Sequence, residues 1–182
     1  MAGDQLRRCI IHSDANERNV LVHASAAAAA AERQRGGDSG GGSGGGAAAQ
    51  PLIAGLIDWG DACLQWLACE PAAACVYIAL LDANAADPLA AMAALLAGYE
   101  AKLALLPGER RALRTLAAGR LALSLSMGAY SAARQPDNAD YLLGTQANGW
   151  RLLRLLAGLS DEAFLAAVGA GPAAEPGVAP LA

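Results

Sequence analysis

Aromatic side chains are scarce: eight among 182 residues, with a single Phe. A core without large rings must be built from aliphatic helix packing, and about a quarter of the chain is alanine. That implies little buried area per residue and closely approaching helices. A basic stripe is missing too. The formal net charge is −4 and the pI about 5.1, which argues against nucleic acid as a partner. There is no long uninterrupted apolar run. The best candidate, from Trp66 to Leu81, contains Glu70 and Pro71, so no membrane partner is expected. The amino terminus, MAGDQLRR, leads into no apolar stretch, which argues against a secretory signal. Cys9, Cys63, Cys69 and Cys75 form no C-x-x-C pair, and there are only two histidines. This excludes a zinc module or disulfide scaffold, and a cytoplasmic protein with reduced thiols is expected.

What is present falls into four segments. Residues 1–23 hold a strand–loop–strand unit, with β-branched residues over Cys9–Ile11 and Val20–Val22 and a polar loop, HSDANERN, between them. Residues 24–50 are low in complexity, an Ala run followed by a Gly/Ser run, and read as a disordered insertion at a hairpin tip. Residues 51–168 open with a buried-type strand, Leu52–Ile57, and a polar turn from Asp58 to Asp61. After Ala62 the pattern predicts helices over 70–83, 88–106, 109–133, 139–157 and 160–168. Asp87 and Ser160 are the predicted N-caps. The charges of ERRALR, 109–114, read as a solvated helix face with intrahelical pairs. Residues 169–182 are rich in Pro, Gly and Ala and read as a disordered tail. The fold class is therefore α+β, rich in helix, with a small β ribbon presenting loops.

Polar residues concentrate beside the strands. His12, Ser13 and Asp14 follow the first, with Asn19 five residues after Asp14, and Asp58 and Asp61 follow the third. If adjacent strands bring these loops together, Asp14, Asn19 and Asp58 should converge to within about 4–8 Å. Two carboxylates and an amide oxygen are hard ligands suited to Mg²⁺. The spacing H-x-D-x-x-x-x-N is met by His12, Asp14 and Asn19. In kinases of the eukaryotic type such an Asp receives the acceptor's proton, and the Asn and a later Asp hold the metal on the nucleotide phosphates.

IIHSDANERNVLV followed by GLIDWGDA resembles the aminoglycoside phosphotransferase and choline kinase group of small-molecule kinases. CLQWLACEPAAACVYIALL and DNADYLLGTQANGWRLLRLL are similar to its hydroxylysine kinase branch. The resemblance runs over about residues 8–168, apart from the insertion. It implies the C-terminal lobe of a protein-kinase-like fold, with Asp14 as catalytic base, Asn19 and Asp58 as metal ligands, and His12 as loop support. Asp61 would support the loop or face the substrate. Glu70 falls where the group often carries a buried acid that organises the catalytic loop. Mg²⁺ and GTP or ATP would be the cofactors, and a small cationic hydroxylated molecule, 5-hydroxylysine on this branch, the acceptor. Ser13 stands where the family often has Gly, a strained choice if that residue needs positive φ.

The N-terminal lobe is expected to be missing from this chain. No Gly-rich hairpin or strand lysine is legible, and the Gly tract 36–46 follows no strand. A separate N-lobe is then a further expected partner, and the chain alone is expected not to transfer phosphate. The competing reading is a truncated, catalytically incompetent C-lobe kept as a binding module or left by an incomplete gene.

Overall fold

The computed structural model describes residues 5–22, 53–144 and 146–169. Four short strands come first: β1 (Arg8–Ile11), β2 (Val20–Val22), β3 (Ile53–Leu56) and β4 (Cys63–Trp66). They pair as two antiparallel ribbons. β1 lies against β4 with Ile10 opposite Leu64, and β2 against β3 with Leu21 opposite Gly55. The pairing is nested, so the loop after β1 and the loop after β3 emerge side by side. The insertion, residues 24–50, and the tail, residues 169–182 apart from Gly169, lie outside the described residues.

Six helices follow: α1 (Cys69–Leu80), α2 (Pro88–Glu100), α3 (Pro107–Arg134), α4 (Ala139–Leu143), α5 (Gln146–Gly158) and α6 (Asp161–Val168). Asp87 caps α2 by accepting from the Ala90 N–H at 3.0 Å, and Ser160 caps α6 by accepting from Ala163 at 3.1 Å. Both sit where the sequence places them. Four features differ from the sequence expectation. Residues 63–66 are strand and not the approach to a helix, because β1 offers an open edge that outweighs local propensity. The stretch 139–157 is two helices, α4 and α5, and 101–106 is loop. The charges at 109–114 are not a solvated face: Arg110 pairs with Glu100 and Arg114 with Asp161, each at 2.6 Å and each to another helix.

The core lies between the helices. Helix α3 sends Leu113, Ala117, Leu121 and Leu125 inward at helical spacing, against Val76, Met92, Leu96, Leu152, Leu156 and Phe164. Small residues set the distances. A Cβ on Gly149 would stand 2.6 Å from the Leu125 side chain, so α5 can approach α3 this closely only with glycine there.

Glu109 fixes the strand layer to this body. It is 0% exposed and accepts from the Arg7 backbone N–H (2.9 Å), from the Arg7 guanidinium (2.6 and 2.9 Å) and from the Leu106 N–H (2.8 Å). Burial works against its charge, but the Arg7 side chain and the two backbone donors outweigh it and hold the carboxyl below its ordinary range. A depressed folded pKa makes this contribution complete above the ordinary carboxylate range and lost as pH falls through the folded value. Arg7→Ala, which strands a buried charge, is expected to cost about 3 kcal/mol in urea unfolding at neutral pH, and less in acid.

Candidate active site

Two loops build the site. The first, residues 12–19, is held by its own backbone: the Asn16 N–H donates to the Asp14 carbonyl (2.8 Å) and the Asn19 N–H to the Asn16 carbonyl (3.1 Å). The second follows β3 and is tied to the first at two points. The Ile57 N–H donates to the Asn19 carbonyl (3.0 Å), and the Ile57 carbonyl lies 2.8 Å from His12 Nε2. His12 is buried, and its Nδ1 accepts from the Asp14 N–H (3.3 Å). A ring that accepts at Nδ1 and faces a carbonyl at Nε2 is satisfied by the Nε2–H tautomer. His12 is thus the clasp between the loops, and Trp59 packs its ring edge-on at 4.8 Å.

Asp14 and Asn19 touch. The Asn19 amide nitrogen donates to the Asp14 carbonyl (2.9 Å) and to its Oδ2 (3.1 Å). That orientation turns Asn19 Oδ1 away from Asp14, and among the described residues nothing donates to it. Asp58, next to Ile57, has left-handed backbone, φ 63° and ψ 62°. Asp tolerates this region better than most residues. Its exposed carboxylate has no hydrogen-bond or ion-pair partner among the described residues. Asp61 lies in the short 3₁₀ turn after Asp58 and is likewise exposed. No three His, Cys, Asp or Glu side chains among the described residues could hold a metal by themselves. A cation here would instead be held by Asn19 Oδ1 and Asp58, an oxygen pair that suits Mg²⁺.

Ser13 also has positive φ, 74°. The half-buried Glu70, at the start of α1, accepts its N–H at 2.8 Å. Glu70 therefore steadies the strained residue beside Asp14. Ser13→Gly, which keeps this backbone donor and removes the Cβ clash, is expected to raise stability by about 1 kcal/mol in thermal unfolding.

Three partners of Asp14 escape the motif reading. Asn16 Nδ2 donates to Oδ2 at 2.8 Å, while the Tyr77 hydroxyl and Arg120 Nη2 both donate to Oδ1 at 2.7 Å. Tyr77 is on α1 and Arg120 on α3. The Tyr77 pKa is pushed up to about 12, by burial first and by its bond to Asp14 next, so it stays a neutral donor. Burial opposes the Arg120 charge, but Tyr77 and Asp14 more than compensate, and its pKa is raised. A signal existed for Arg120, the lone charge in the otherwise uncharged stretch LAAGRLALSL.

A cleft of about 610 Å³ opens beside Arg120, lined by Ser13, Asp61, Arg120, Leu123, Ser124 and Met127. The strands also expose apolar side chains: Ile10 is 75% exposed, Ile53 68% and Leu64 60%. Among the described residues no helix is long and apolar enough to cross a membrane.

No protein-family model matches the chain, and no solved structure matches it. Curated proteins do. Over 157 residues, 86% of this chain, it is 32% identical to the hydroxylysine kinase of Mus musculus and 31% identical to that of Xenopus laevis. The Bos taurus hydroxylysine kinase is 29% identical over the same length. The chain spans little more than a third of these relatives, 36 to 37% of each. The kinase resemblance carried by the two loop motifs is therefore a similarity to hydroxylysine kinases across most of the chain's length.

Proposed function

We propose that the chain is the catalytic-loop lobe of a Mg²⁺-dependent phosphotransferase that moves the γ-phosphate of GTP or ATP to the hydroxyl of 5-hydroxylysine. The observation that carries this reading is the division of labour around Asn19. Its amide nitrogen is spent on Asp14 and its oxygen stays unpartnered, while its backbone carbonyl holds Ile57, the neighbour of the unpaired Asp58. The similarity to hydroxylysine kinases supports the reaction class and supplies the acceptor.

Asp14 is the base. As the acceptor oxygen bonds to the γ-phosphorus, its proton passes to Asp14, the bond from γ-phosphorus to the bridging oxygen breaks, and the nucleoside diphosphate leaves. Asn19 and Asp58 hold the cation, which when bound neutralises phosphate charge. His12 and Glu70 keep the two loops in register and the Ser13 turn in place, and Asp61 faces the acceptor's ammonium.

The exposed apolar side chains of the strands support a second element of the proposal. Ile10, Ile53 and Leu64 are a surface that another lobe would cover, whether part of a longer polypeptide or a separate chain. The test joins this chain to the amino-terminal lobe of a hydroxylysine kinase and follows labelled γ-phosphate. Transfer to 5-hydroxylysine that requires Mg²⁺ and Asp14 is expected. A folded assembly that binds Mg²⁺–nucleotide but transfers nothing would favour a binding module instead.

A further inference from the structure

We propose that Arg120 selects the acceptor: its guanidinium binds the carboxylate of an amino-acid substrate and, in moving to it, frees Asp14 for the substrate's hydroxyl. This rests on the phosphotransferase reading and deepens it by naming the residue that distinguishes an amino acid from a simple amine.

The Asp14 carboxylate is saturated. A carboxylate offers about four lone-pair positions. Asp14 already meets four donors: Tyr77 and Arg120 at Oδ1, and Asn16 and Asn19 at Oδ2. An acceptor O–H has no place to donate until one of them leaves. Asn16 and Asn19 belong to the Asp14 loop and help shape it. Tyr77 is short and ring-bound. Arg120 is the long side chain from another element, and it lines the cleft.

Arg120, by contrast, is only half used. Nη2 serves both Asp14 and the Tyr77 oxygen. Nε is buried with no partner, and Nη1 has none among the described residues. A buried donor left unpaired is costly. A carboxylate entering the cleft would offer two acceptors to this planar fork, the geometry arginine matches best.

The cleft carries one cation, Arg120, and one exposed anion, Asp61, with Leu123 and Met127 forming an apolar wall. Opposite charges flanking an apolar surface suit a zwitterion with an alkyl body. A bare diamine would meet Asp61 but would be repelled by Arg120.

The test is calorimetric titration of the chain with 5-hydroxylysine and with the same diamine lacking the carboxylate. The wild type is expected to bind the amino acid at least about tenfold more tightly. Arg120→Gln should erase that preference by weakening the amino acid alone, while Arg120→Lys, which keeps the charge, should retain part of it. Thermal unfolding identifies variants that fail to fold, and Arg120→Lys then carries the comparison. Equal affinities in the wild type, no binding of either compound, or an unchanged preference in Arg120→Gln would overturn the assignment. The joined assembly separates the two readings: if it still phosphorylates 5-hydroxylysine, Arg120 alone has been misassigned, and if it does not, the phosphotransferase reading fails.

Discussion

Asp14→Asn is expected to lower the rate of phosphoryl transfer by about 10³-fold or more, while the affinity for Mg²⁺–nucleotide changes by no more than about twofold. The substitution keeps the shape and removes the charge and one acceptor. The acceptor hydroxyl then loses its proton sink. The Asn19 amide still has the Asp14 backbone carbonyl at 2.9 Å to hold it, so its oxygen stays aimed away from residue 14. That backbone bond is why catalysis and metal binding should separate at this position. Single-turnover transfer and nucleotide titration on the same preparation measure the two quantities. A variant with near-full turnover would mean that Asp14 is not the base.

The second large effect is expected on metal. Asp58→Asn should weaken Mg²⁺-dependent nucleotide binding by about 10- to 100-fold, which is about 1.4–2.7 kcal/mol. Asn adopts left-handed backbone about as readily as Asp, so this substitution removes charge without breaking the turn. Asn19→Ala should do more. It removes a ligand and also both hydrogen bonds that the Asn19 amide gives to Asp14, so nucleotide affinity and turnover should fall together. Titrations at fixed ionic strength with and without Mg²⁺ isolate the metal-dependent part. Loss of affinity that is equal in both conditions would place Asp58 outside the metal site.

Much of this site was legible because its parts are local in sequence. Asn19 is the fifth residue after Asp14, and strand propensity on each side says that the intervening loop is short. The capping residues Asp87 and Ser160 were legible for the same reason, since each contacts the helix it begins. Tertiary partners were not. Arg120 lies 106 residues from Asp14 and Tyr77 lies 63 away, and no local pattern specifies that α1 and α3 deliver them to one carboxylate. Glu109 misled for a related reason. Its charge fits a solvated helix face, and the distant Arg7 supplies most of the donors that make its burial affordable. Strand β4 was missed because CLQW has no alternation of its own and takes its conformation from β1. The positive φ at Ser13 was half legible: the family habit of Gly suggested it, and the Glu70 carboxylate that stabilises it is 57 residues away.

On the proposed reading the loop after β1 and the loop after β3 share one divalent cation beside Asp14. Replacing Mg²⁺ with paramagnetic Mn²⁺ in the nuclear magnetic resonance spectrum of the chain with nucleotide would locate that ion, because line broadening falls steeply with distance from it. Selective broadening of the Asn19 side-chain amide and of the backbone around Asp58 is expected, reversed by excess Mg²⁺ and lost in Asp58→Asn. Broadening confined to acids elsewhere on the surface, or reaching only one of the two loops, would contradict it.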